Sequence, residues 1–140
     1  MKMSAINNVG GQNMDTNIET EFVKTNIKHD YQERVLFELL SSKHRAKALS
    51  RFAHSSKKIL KDRFVEVNTE FLQGYMSKYL SKQNECYLIS DASIDGTTMK
   101  IYDAWEYIQK TVMMTIVISR DFVLLKEEYE GTKPLFYFCN

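Results

Sequence analysis

Proline occurs once and glycine five times in 140 residues, which excludes loop-dominated and low-complexity architectures. Cysteine occurs twice, at Cys86 and Cys139, too few for a disulfide framework. Both lie in apolar runs, where a free thiol packs as a small hydrophobe. The longest apolar stretch, residues 112–118, is far short of the roughly 20 residues that a membrane-spanning helix needs. The first 17 residues lack the apolar core of a secretory signal. These absences lead to the expectation of a cytoplasmic protein with reduced thiols and no membrane association.

Catalytic and metal signatures are also missing. There is no HExxH, CxxC or Cys–His spacing for zinc, no glycine-rich phosphate loop and no nucleophile elbow. His44 and His54 are ten residues apart, about 80° out of register on one helix, so with His29 they form no ligand set. No motif places the chain in a known family. The chain is therefore read as a non-enzyme that uses no cofactor and no metal.

Hydrophobic residues make up 44% and charged residues 26%, and the eight Phe, eight Tyr and one Trp are enough for one buried core. The net charge of +1 hides a segregation. Residues 24–63 hold eleven Lys/Arg against four Asp/Glu, a net of +7, whereas residues 64–140 hold seven against eleven, a net of −4. Such asymmetry bears on partners and association rates rather than on fold. The Lys/Asn/Ile-rich usage suits an AT-rich coding region, and a bacterial source is the expectation.

Residues 1–22 are polar and contain Gly10-Gly11, and are expected to form a loosely ordered leader before a single domain over 23–140. Tyr31, Val35, Leu36, Leu39 and Leu40 fall at helical spacing over 31–40, with Asp30 as the expected N-cap. Ser41 and Ser42 offer the next cap. A second helix follows, in which Ala46, Leu49, Ala53, Ser56 and Leu60, widened by Phe52 and Ile59, form an apolar stripe. Its register is expected to continue through a bend at Ser55-Ser56. A third helix is expected after Asn68 or Thr69, with Phe71, Leu72, Tyr75, Met76, Tyr79 and Leu80 as its apolar face and Gly74 weakening it by about 1 kcal/mol relative to Ala.

Phe64-Val65-Glu66-Val67 alternates and fits a short strand, and from Cys86 onward the pattern turns to strands. Residues 86–89, 112–119, 122–128 and 135–139 are strand-like, with a short helix over 101–110 and a hairpin turn at Arg120-Asp121. If residues 135–139 form an edge strand, their aromatic run invites pairing with another chain. The expected fold is α+β, with N-terminal helices packed on a C-terminal, mostly antiparallel sheet of about four strands.

The most specific functional feature is a basic ridge on the second helix: Lys43, Lys47, Arg51, His54, Lys58 and Lys61 cluster on one face. Aligned cations attract a polyanion or an acidic protein surface. A solvated helix face is the ordinary alternative. Asp91, Ser93, Asp95 and Gly96 spell the first half of an EF-hand-type loop, but its twelfth position is Tyr102, which offers no bidentate carboxylate. Two acid clusters, Asp91/Asp95/Asp103/Glu106 and Glu127/Glu128/Glu130, occupy predicted turns and strand ends.

These facts converge on a protein-binding module. Its most concrete form is a small immunity- or antitoxin-type protein that neutralises a partner, such as a toxin, by surface complementarity. The alternatives are a nucleic-acid-binding protein that uses the basic ridge, and an enzyme built on acids such as Asp91 and Asp95.

Overall fold

The computed structural model describes residues 14–140, except 82, 130 and 132. Asp15 opens the fold. Its carboxylate accepts from the N–H groups of Asn17 and Ile18, each at 3.0 Å, and caps α1 (Thr16–Asn26). Residues 16–22, assigned above to a leader, are thus the first two turns of a helix whose Phe22 and Val23 are buried. The remainder of that leader, residues 1–13, lies outside the described residues.

Three more helices follow: α2 (His29–Leu40), α3 (Arg45–His54) and α4 (Ser56–Ile59). Asp30 does not cap α2; it sits in the first turn, where its charge suits the helix dipole, and Lys28 takes the cap position. Ser41 and Ser42 do not cap α3 either. Ser41 Oγ instead pairs with Nδ1 of His44, the residue at the cap position, at 3.0 Å.

The expected second helix is divided at Ser55, whose φ of −135° and ψ of 26° leave the helical range. The cause is a carboxylate from far along the chain. Glu127 Oε2 accepts the Ser56 N–H at 3.0 Å, and Ser56 Oγ donates back to the Phe52 carbonyl. An external cap for the next turn lets a new helix start there.

The second half contains β1 (Val65–Val67), α5 (Thr69–Leu80), β2 (Glu85–Ser90), β3 (Thr98–Lys100), α6 (Ile101–Lys110), β4 (Thr115–Ile118), β5 (Val123–Lys126) and β6 (Phe136–Cys139). The strands form one antiparallel sheet in the order β1-β6-β5-β4-β2-β3. The α+β class is as expected, and the short edge strands β1 and β3 raise the strand count from about four to six. The aromatic run of β6 is not an edge, because β1 covers it, pairing Val65 with Phe138 and Val67 with Phe136. The turn into β3 needs Gly96, whose φ of 79° lets its N–H reach the Leu88 carbonyl at 2.8 Å. The β4–β5 turn needs no such residue: Ser119 donates its N–H to the Phe122 carbonyl, and Ser119 Oγ accepts from the Asp121 N–H.

Helices cover both faces of the sheet. Tyr87, Ile89, Ile116, Leu125 and Tyr137 pack under α1–α4, whereas Leu88, Val117, Leu124, Phe136 and Phe138 pack under α5 and α6. A sheet buried on both sides has no polar face, so its central strands read as continuous apolar runs rather than alternating ones. Besides the buried hydroxyls of Ser90 and Thr115 elsewhere in the sheet, Lys126 is the charged exception, a lysine only 2% exposed on the α6 side. Its ammonium donates to the carbonyls of Ile108 and Thr111 at the end of α6, satisfying acceptors that a helix C-terminus leaves unpaired. Burial holds its pKa below the usual lysine value.

Candidate partner-binding face

The break at Ser55 divides the basic ridge. Lys43 precedes α3, Lys47, Arg51 and His54 lie on it, Lys58 lies on α4, and Lys61 follows α4. Arg51 faces inward to α2, where Nε and Nη2 grip the two Glu38 oxygens at 2.7 and 2.9 Å. The hydrogen bond from Arg51, followed by the charges of Arg51, Arg34 and Lys47, pulls the Glu38 pKa below its ordinary value against the opposing effect of burial. His54 Nε2 lies 3.6 Å from Glu128. Lys58 sits over the Tyr31 ring at 6.0 Å, and Lys61 reaches the Lys24 carbonyl at 3.4 Å. The six residues therefore do not present one free stripe. Lys43 and Lys47 are exposed, and among the described residues no carboxylate lies within 4 Å of either ammonium.

What these two lysines flank is an apolar surface. On α2, Phe37 is 61% and Leu40 41% exposed. With Leu36, Glu33 and Ser41 they line a shallow depression of about 450 Å³. The Phe37 ring packs against His44, centroids 5.2 Å apart, which ties the patch to the α2–α3 turn. Helical geometry explains the exposure. Val35, Glu38 and Leu39 take the inward side of α2, and Phe37 falls nearly opposite Val35. Arg34 and Lys47 are close enough to act on Glu38, so the flank of the patch nearest α3 is positive.

A second charged constellation lies inside the fold. Arg45, from α3, spends all five of its N–H donors: Nη1 and Nη2 on the two Glu19 oxygens at 2.7 Å each, Nε and Nη2 on the two Asp95 oxygens at 2.8 and 2.9 Å, and Nη1 again on the Leu39 carbonyl. Glu19 also accepts from the Tyr87 hydroxyl, and Asp95 from the Ser90 N–H. Desolvation alone would lower the Arg45 pKa; the two carboxylates overcome it and raise the value. Burial, then the charge of Glu19 and its hydrogen bond, push the Tyr87 phenol up. One guanidinium thus serves two carboxylates, and the cluster joins α1, α3 and the β2–β3 turn.

This cluster accounts for one of the sequence-level candidates. Asp95, proposed as an ion ligand or a catalytic acid, has both oxygens on Arg45, while Asp91 is exposed. Among the described residues, no three His, Cys, Asp or Glu side chains gather as a metal would require. Glu127 caps α4 and Glu128 faces His54; Glu130 lies outside the described residues. Cys86 and Cys139 are buried free thiols.

No family model, curated protein or solved structure matches this chain.

Sequence reasoning missed the anchors of the face, Phe37 above all, because it reads helices for what they bury. The signal was present: residues 35–40 are apolar at every position except Glu38, more than one buried stripe requires. Arg45 was equally legible. It falls in the middle of the stripe formed by Ala48, Leu49, Phe52 and Ala53, where a cation implies a buried partner. Ala46, placed on that stripe, is exposed because it lies at its margin.

Proposed function

We propose that the protein is a non-enzymatic binding module whose α2–α3 face docks an acidic surface of a protein partner. The observation that carries this reading is the pairing of two exposed apolar side chains, Phe37 and Leu40, with a positive flank of Arg34, Lys43 and Lys47. Apolar anchors inside a charged rim are the anatomy of a specific interface: the anchors supply most of the affinity, and the rim supplies speed and discrimination. The other exposed aromatic pair, Phe71 and Tyr75, lies on α5 with Glu70 and Lys78 on the same helix; on the α2 patch the one acid in the lining is Glu33. In its most concrete form the module is a cytoplasmic immunity- or antitoxin-type protein that occludes a partner. Small size, segregated charge and the lack of a catalytic motif support that form.

The test is affinity capture from the cells that make the protein, run in parallel with the chain as it stands, with Phe37→Ser and with Lys43→Glu/Lys47→Glu. The expected result is one acidic protein, retained by the parent and lost with Phe37→Ser. Charge reversal should slow its association. Retention that neither variant alters, or capture of nucleic acid in place of protein, would overturn the proposal.

A further inference from the structure

A second site lies on the same side of the sheet but away from the α2–α3 face. At the end of the strands, Ile118, Val123 and Cys139 point toward α1 and leave a cleft of about 490 Å³ between themselves and Ile18 and Phe22. That volume falls within the range of small-molecule sites, and an apolar floor with a few placed polar groups is their usual chemistry.

The polar group that decides the ligand is Arg63, on the cleft wall. Its Nη2 donates to Asn26 Oδ1 at 2.7 Å and to the Thr25 carbonyl at 3.3 Å. Asn26 is itself buried and anchored, its Nδ2 donating to the Phe22 carbonyl at 3.1 Å. Both acceptors of Arg63 are neutral, and among the described residues no carboxylate lies within 4 Å of it. Of the acids that line the cleft, Glu21 accepts from the neutral Thr25 hydroxyl at 3.1 Å and Asp121 lies 3.9 Å from Arg120. The wall thus holds a solvent-exposed guanidinium, anchored on neutral acceptors beside an apolar floor, with Nε and Nη1 retaining donors.

We infer that this cleft binds a small amphipathic carboxylate, its apolar body on Ile18, Phe22, Ile118 and Val123 and its charged head on Arg63. A guanidinium recognises a carboxylate through charge-assisted, often paired hydrogen bonds. The inference does not depend on the partner-binding face.

The test compares two fluorescent probes of like shape, the anionic dye anilinonaphthalene sulfonate and uncharged phenylnaphthylamine, on the full chain, on Arg63→Met, on Arg63→Lys and on Ile118→Trp. Circular dichroism verifies that each variant is folded. The expected result is one saturable anionic-dye site that decanoate displaces. Arg63→Met should weaken the anionic dye by about tenfold or more, the scale of a charged hydrogen bond, and leave the neutral dye unchanged. Arg63→Lys should recover part of the loss, and Ile118→Trp, which fills the cleft, should weaken both dyes. Absence of dye binding to the parent, equal effects of Arg63→Met on the two dyes, or no effect of Ile118→Trp would each overturn the inference.

Discussion

Replacing Arg45 with Met should cost about 3–5 kcal/mol of folding stability, the range for removing one member of a buried ion cluster. The geometry places it there. Arg45 is 11% exposed in its side chain, Glu19 0% and Asp95 10%, so solvent cannot take over from the lost guanidinium. Glu19 keeps only the Tyr87 hydroxyl and Asp95 only the Ser90 N–H among the donors named above, while both carboxylates lose their cation and the Leu39 carbonyl its guanidinium donor. The loss is a large part of the roughly 5–15 kcal/mol that holds a domain together. Urea denaturation followed by far-UV circular dichroism measures it, with the slope of the transition compared between proteins to confirm that the unfolded states match. The triple variant Glu19→Gln/Arg45→Met/Asp95→Asn should be more stable than Arg45→Met alone, because no buried charge is then left unmatched. A loss below about 1 kcal/mol, the value typical of a surface pair, would refute the reasoning. So would a triple variant less stable than the single one.

Three further outcomes follow from the packing. Gly74 lies in the exposed part of α5, and an added Cβ meets no atom within 4 Å; Gly74→Ala should therefore stabilise the fold by up to about 1 kcal/mol in the same denaturation assay. Glu127→Ala removes the carboxylate that caps α4 at Ser56 and should cost about 1 kcal/mol, read as a lower urea midpoint. Burial, then the charges of Glu85 and Asp103, push the Cys86 thiol up to about 12, and burial with Glu127 and Glu66 pushes the Tyr137 phenol up to about 12. Between the ordinary values and these, the unfolded chain releases protons that the folded chain keeps. Stability should thus be full below about pH 9 and fall as pH rises through 12, with Cys86→Ala flattening the early part of that decline in urea titrations at stepped pH.

The fold class was legible because the apolar spacing changes period near Cys86, from helical steps to short β-rich runs. What the pattern could not convey was the second helical layer. Continuous apolar strands suit a doubly covered sheet, but the spacing that marks α5 and α6 as helices does not say which face of the sheet they cover. The strand β3, three residues long, is too short to carry a period, whereas β1 showed in the alternation of residues 64–67. The helix break at Ser55 was hinted at by two serines, yet its cause, Glu127, lies 71 residues away. Long-range polar contacts of this kind decide the site as well. Arg51 belongs to the basic stripe by spacing and to Glu38 by contact, and Asp95 belongs to an ion-binding pattern by spacing and to Arg45 by contact. Net charge by segment located the positive surface; only the tertiary arrangement shows which of its cations remain unpaired.

The partner-binding face is tested most directly by placing a photo-crosslinking phenylalanine at position 37 and, as a control on the far side of the sheet, at Tyr102, which is 52% exposed on α6. Irradiation in the native cell should join a discrete protein to position 37 and leave position 102 without that adduct. The same adduct at both positions, or an adduct at position 102 alone, would contradict the assignment of the α2–α3 face.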